Sequence, residues 1–307
     1  MEIFKNERLR PLLAAFCAFG WSLAYPFIKI GYRVLGIGED LGSKLVFAGI
    51  RFTMAGILVL CFARSLHADI RIREKNVWPH VLLFAVVNTW LHYLTAYIGL
   101  TYIPSSRSTI LDSMGGFFLI ILSGFLYRED KIDARKVIGC IVGILGIFMI
   151  NVGPIGEMLS GISFLGDGLI LLNACCAAWG GIITRNISKK VDVTLATGYS
   201  MLIGGLMLLL CGAVAGIQVS WNITLSGIGV ICVLFLISAV CFGIYNLLLA
   251  NHPISKVAIF NALIPVLGVM FASLLLGEPF KWQYLAACLC VATGIYMINT
   301  DRKTKQK

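Results

Sequence analysis

Charge is what this sequence has least of. Asp, Glu, Lys and Arg make up 13% of the 307 residues, against about 25% in an ordinary soluble domain, and no polar stretch is long enough to fold on its own in water. With 59% hydrophobic residues and a mean hydropathy of +0.89, the deficit excludes a soluble globule. Other absences narrow the class. There is no glycine-rich phosphate loop and no soluble nucleotide-binding segment, which argues against ATP-driven work. Histidine occurs four times and never at ligand spacing from a cysteine, while the ten cysteines all lie inside apolar runs. Packing in a membrane accounts for them better than a metal site or a disulfide framework. No loop carries paired carboxylates and nothing is arranged for covalent catalysis, so neither an enzyme nor a bound cofactor is expected.

What the chain has instead is apolar runs. Ten of them, at about 12–30, 44–63, 78–98, 104–126, 136–152, 163–183, 194–215, 224–248, 256–276 and 282–298, are separated by short polar gaps, and about 20 apolar residues let a helix cross the hydrocarbon. The expected fold is an all-α integral membrane protein with ten transmembrane helices. Lys5, Arg8 and Arg10 precede the first run as in a signal peptide, but no small-residue cleavage site follows before Pro26, so this reads as a retained span. The net charge of +10 is spread through the gaps rather than gathered in a patch, which argues against a nucleic-acid partner. Placing the N-terminus in the cytoplasm puts 19 of the 25 basic residues on that side. The positive-inside rule then sets both termini in the cytoplasm of a multi-pass cell-membrane protein.

One stretch is written twice. From Pro104 to Asn151 the chain reads PSSRSTILDSMGGFF and onward to FMIN, and from Pro253 to Asn299 it reads PISKVAIFNALIPVL and onward to YMIN. Pro104 falls on Pro253, Ser106 on Ser255, Asp112 on Asn261 and Glu129 on Glu278. Five spans precede the second half, so the copies cross the bilayer in opposite senses. The halves, 1–153 and 154–307, are expected to be inverted five-helix repeats, an arrangement that typifies secondary transporters.

Several stretches resemble the drug/metabolite transporter superfamily, and within it the ten-helix EamA-type carriers. They are Trp21 with Lys29, AGIRF with Arg51, AYIGLTYIPSSRSTIL before Glu129, Trp179-Gly180, and HPISKVAIFNALIPVLGVMFASLLLGEPF. The resemblance covers nearly the whole chain. It implies two five-helix bundles around a central cavity lined mainly by spans 1, 3, 4, 6, 8 and 9, with spans 5 and 10 peripheral. Two departures stand out: Gly116 where the second half keeps Pro265, and Asp112 where the family commonly has a small or apolar residue.

Asp112 is the sharpest single feature, since a carboxylate within a span costs ~2.5–3.5 kcal/mol on insertion scales. It shares a helical face with Ser105, Ser108, Gly115 and Gly116, so it is expected to point into a polar seam. There it would serve as counter-ion for a cationic substrate or as a proton-coupling carboxyl; the plainer alternative is a buried acid that only ties helices together. Its repeat mate Asn261 precedes Pro265, a kink site that frees a carbonyl one turn earlier. Asn88 and His92 share a face of span 3, and His92 could relay a proton with Asp112 or simply bridge helices. Trp21, Tyr25, Asn173, Trp179 and Tyr245 complete the expected substrate-binding set, the aromatics offering faces to a cation or a planar ring. Arg51, near the end of its span, reads by default as snorkelling outwards. Glu129 and Glu278 read as turn or cap residues. Gly139, Gly143 and Gly146 form a small-residue face open to close packing within the chain or in a homodimer.

These features favour a secondary carrier of a small organic metabolite, an amino acid or amphipathic amine, working by alternating access with protons as one coupling option. A lipid-linked sugar flippase would call for more basic residues in the cavity. A non-transporting scaffold or receptor would leave Asp112, Asn88 and His92 idle.

Overall fold

The computed structural model describes residues 2–66, 69–103, 105–150, 163–216, 221–277, 279–280 and 282–300. Among the described residues the regular structure is helical, with no strand. The first half runs α1 (Arg10–Leu35), α2 (Leu41–Ser65), α3 (Lys75–Gly99), α4 (Ser105–Leu126) and α5 (Ala134–Ile150). The second runs α6 (Phe164–Ile187), α7 (Val193–Ala215), α8 (Leu225–Asn251), α9 (Ile254–Leu276) and α10 (Gln283–Asn299). Seven of these, α1, α2, α3, α6, α7, α8 and α9, are long and apolar enough to cross a membrane, while α10 and the Leu111–Leu126 part of α4 are shorter apolar helices.

Local chemistry marks the boundaries. Asp40, Ser163, Asp192 and Thr224 each accept a hydrogen bond from a backbone N–H in the first turn of α2, α6, α7 and α8, at 2.8–3.1 Å, an N-cap worth about 1 kcal/mol. The chain leaves α1 through Gly36 (φ 68°) and α9 through Gly277 (φ 70°), a left-handed turn that glycine adopts without strain.

Packing follows the fivefold offset along the chain. α2 lies along α7 and α5 along α10; α4 packs on α6 as α9 packs on α1, and α3 packs on α6 as α8 packs on α1. Between apolar helices in lipid there is little hydrophobic drive, so close approach through small residues has to hold them. At the α2–α7 crossing, a Cβ on Gly205 would lie 2.5 Å from the Thr53 amide nitrogen. The small-residue face of α5 is likewise used inside the chain: a Cβ on Gly139 would lie 3.0 Å from the Gly294 carbonyl of α10, and one on Gly146 2.9 Å from that of Ala287. Of the two uses left open for this face, packing within the chain is the one the structure shows, against α10.

The turn between α4 and α5 holds two neighbouring acids in different surroundings. Glu129, the residue that marks the repeat, lies in the turn as expected, is half exposed and pairs with Arg185 at 3.2 Å. Its neighbour Asp130 is the buried one, at 1% exposure. Asp130 accepts from the Ser255 backbone N–H at the start of α9 (2.7 Å), from the Ser255 hydroxyl, and from Lys136 Nζ (2.6 Å). Arg185 reaches the last carbonyls of α8, at Leu249 (3.2 Å) and Ala250 (2.5 Å). Glu278 lies outside the described residues.

Candidate functional site

Residues of seven helices converge on one cavity of about 220 Å³. Two local irregularities help form it. In α3 the hydrogen bonding widens to a π-helix over Val86–Leu91, between the α-helical Trp78–Ala85 and His92–Gly99. Such a bulge inserts an extra residue into the turn and shifts the helical phase. Asn88 and His92 both reach the cavity from this stretch. In α9, Pro265 has no amide hydrogen for the carbonyl of Asn261, and the helix tightens to 3-10 over Ile259–Ala262. The wall there is Asn261, Ile264 and Pro265.

One side of the chamber is acidic. Asp112 projects from α4 onto the wall and accepts a hydrogen bond from the Asn173 amide of α6. His92 Nδ1 lies 3.2 Å from the Asn173 carbonyl oxygen. A carbonyl can only accept, so Nδ1 carries the hydrogen and, in the neutral ring, Nε2 is left as acceptor. Asn173 thus binds both titratable groups, one through its side chain and one through its backbone, and it is 2% exposed. Its own side-chain oxygen is buried without a hydrogen-bond partner among the described residues.

Aromatic rings make up another part of the wall. Trp21 stands edge-on to Phe242 (5.1 Å) and Tyr245 (5.0 Å), and Tyr93 packs on Phe52 (4.2 Å). The Tyr245 hydroxyl accepts from Asn261 Nδ2 at 2.8 Å, so the repeat mate of Asp112 braces the aromatic wall. The indole N–H of Trp21 is buried without a hydrogen-bond partner among the described residues. Gly116, which replaces a proline of the other half, sits against Asn261: a Cβ there would lie 3.3 Å from that residue's own Cβ. The departure therefore lets α4 approach α9 beside the cavity.

Of the expected residues, the structure brings Trp21, Asn88, His92, Asp112, Tyr245 and Asn261 to the cavity wall, with Asn173 directly behind Asp112. The Tyr25 side chain lies outside the described residues. Trp179 is a correction. It is 48% exposed on the outer surface and does not line the chamber; one residue on a helix is about 100° of rotation, and it is Gly180 and Gly181 that turn inward, against Asn88 and Leu119. Arg51 is the second correction. It does not snorkel: it is 4% exposed, lines the cavity, and donates from Nε to the Ser238 hydroxyl at 2.7 Å. The cavity thus takes in α2 as well as the six helices expected, while among the described residues α5 and α10 contribute nothing to it.

Asn246 was not foreseen either. It lines the cavity and donates to Thr197 Oγ1 at 2.9 Å, while Thr184 lies 3.5 Å from its carbonyl oxygen. An asparagine one residue from Tyr245, within an uninterrupted apolar run, was the available signal.

These are the features of a multi-pass membrane protein built around a central cavity that polar and aromatic side chains line. The chain belongs to the EamA-like transporter family, whose model matches residues 9–152 and 164–300, and it is thus a transmembrane transporter of the drug/metabolite superfamily. It is 29% identical to the "Uncharacterized transporter YvbV" of Bacillus subtilis over 96% of this chain and 93% of that one. It is 23% identical to the "S-adenosylmethionine/S-adenosylhomocysteine transporter" of Chlamydia muridarum, over 96% and 94% of the respective chains. A solved crystal structure shares the fold, with a TM-score of 0.75 at 14% identity, covering 92% of this chain and 95% of its own.

Proposed function

We propose that this transporter is a secondary carrier of a small organic metabolite, an amino acid or amphipathic amine, and that the cavity is its substrate site. The observation that carries the reading is the constellation of Asp112, Asn173 and His92 on the wall of a chamber faced by aromatic rings. A carboxylate inside a membrane helix is costly and marks substrate or proton pathways. Here it would hold an ammonium group, while the aromatic rings of the wall offer their faces to the rest of the molecule. His92, tied to Asn173, is placed to exchange a proton with the same polar cluster, which makes coupling to a proton gradient the second half of the proposal.

The mechanism proposed is alternating access by two inverted five-helix halves, 1–153 and 154–307, with all ten helices crossing the cell membrane and both termini in the cytoplasm. The paired packing of helices displaced by five, and the two stretches matched by the family model, support that division. A reporter inserted between residues 153 and 162 is expected to behave as extracellular; a cytoplasmic signal would sink the inverted arrangement.

The test of the site is uptake by purified protein in liposomes, with and without an imposed proton gradient, across amino acids, amines and nucleosides. Gradient-sensitive flux that Asp112→Asn lowers roughly tenfold or more, in protein that still folds, is the expected result. Undiminished flux in that variant would reduce Asp112 to a structural acid.

A further inference from the structure

His252 stands away from the cavity, in the turn between α8 and α9, and is buried at 3% exposure. Its ring meets the segment that precedes α1. Glu2–Lys5 forms a single 3-10 turn that packs on α8, and the carbonyl oxygen of the half-buried Phe4 lies 2.8 Å from His252 Nε2. A carbonyl can only accept, so Nε2 carries the hydrogen, and Nδ1 of the neutral ring is the nitrogen left to take a second proton. Packing on either side of this contact is open. Lys5 borders a cavity of about 260 Å³ that Ser188, Asp192, Asn251 and the end of α8 also line, and Ile3 is 60% exposed. A short segment held at few buried points opens at little free-energy cost.

The charges around His252 are unevenly set. Burial is the largest influence and holds the ring below the ordinary histidine value; Arg10 of α1 and Arg185 of α6 act in the same sense, while the Phe4 carbonyl and Glu7 act against them. Arg185 is itself paired with Glu129 and tied to the Leu249 and Ala250 carbonyls. On the α9 side, Asp130 is occupied by Ser255 and Lys136. A proton added to His252 therefore places a positive charge in a buried site between two arginines.

We infer that Glu2–Lys5 is a strap, latched by His252 at neutral pH and released on acidification, that restrains the α8–α9 end of the molecule. The released ring is hydrated and takes its proton at the ordinary value, about 6.5; the latched ring takes it only at lower pH. Latching is therefore complete above about 6.5 and weakens as the pH falls from there through the latched value. The strap ties the start of α1 to the turn at His252, one in each half of the chain. Its role in transport rests on the alternating-access reading proposed above: when the halves move against each other, a tie between them breaks or is carried along, and proton-driven release couples that movement to pH on the face where the turn lies.

The experiment follows the fluorine NMR signal of the purified full chain in lipid nanodiscs, with Phe4 replaced by its 4-fluoro analogue, from about pH 8 to about pH 5. A latched and a released signal are expected, the released one gaining several-fold on the other as the pH drops below about 6.5. His252→Gln keeps an N–H donor for the Phe4 carbonyl but does not titrate, so its signal should stay latched throughout. Hydrogen exchange at the α8–α9 turn, corrected for the intrinsic effect of pH, should rise several-fold with release in the parent and stay level in the variant. If His252→Gln does not fold, the parent alone decides: a signal from position 4 that ignores pH over this range overturns the strap. Release at the same pH in His252→Gln overturns it as well, since another group would then be titrating, and so does release that leaves exchange at the turn unchanged. None of these readouts needs a substrate. Absence of liposome flux would therefore sink the carrier reading, and with it the role in transport, while the latch is judged on the fluorine signal and the exchange alone.

Discussion

Asp112 and Asp130, one inside α4 and one just beyond its end, are aspartates with opposite surroundings. Asp130 accepts from the Ser255 backbone, the Ser255 hydroxyl and Lys136, and at 1% exposure it faces no open space. Asp112 takes a hydrogen bond from Asn173 and shows itself to the cavity. The difference lies in what surrounds a carboxylate rather than in its burial. An acid held wholly within the protein joins elements together, whereas one on a cavity wall is, on the function proposed above, placed for a ligand. The same distinction separates Lys136, ion-paired at 2.6 Å, from Arg51, which has no such pair among the described residues.

The strongest way to break this comparison is Asp130→Asn. Lys136, 13% exposed at its side chain, would lose its counter-ion, and the Ser255 N–H and hydroxyl would lose a charged acceptor. Removing one partner of a buried pair costs about 3–5 kcal/mol. The expected outcome is a large fall in thermal stability of the detergent-purified protein, with any surviving folded fraction still transporting. Asp112→Asn should do the opposite, removing transport with a stability change of less than about 1 kcal/mol, since an amide can keep a hydrogen bond to Asn173 after rotating. If the two substitutions exchanged these phenotypes, the assignment of one acid to architecture and the other to function would be reversed.

Much of the arrangement was legible from the sequence, and what was missed has physical causes. Apolar length and small polar gaps reveal helices, and one unexplained acid in an apolar run reveals Asp112. Helical phase is harder to read. Trp179 and Gly180 are neighbours, and which of them faces inward depends on how closely α6 approaches α3 at Asn88, which no pattern in α6 alone encodes. Arg51 was read as snorkelling because only its distance from the span's end was visible; its partner Ser238 is on α8, far along the chain. Glu129 was prominent because it repeats, yet the buried role went to Asp130, whose position in the second half is Pro279. Repetition reveals what the two halves have in common. The features that give this chain its chemistry, Asp112 opposite Asn261 and Gly116 opposite Pro265, are the positions where the halves differ.

The mildest test of the comparison sits beside Asp130 in the same turn. The Glu129 carboxyl is held below the usual carboxylate range first by a hydrogen bond from its own backbone N–H and then by Arg185. A group whose folded-state value is depressed contributes stability above its unfolded value, about 4.3 for glutamate, and loses that contribution as the pH falls through the folded value. Because its side chain is 51% exposed, solvent screens the pair, and such pairs give about 0–1 kcal/mol. Glu129→Gln is therefore expected to lower stability only slightly at neutral pH, and the gap from the parent protein should close as the pH drops below about 4.3. Melting curves of both proteins between neutral and acidic pH measure this directly. A gap that stayed constant on acidification would mean that the charge of Glu129 is not what the turn uses, and a loss as large as that of Asp130→Asn would erase the distinction between the two neighbouring acids.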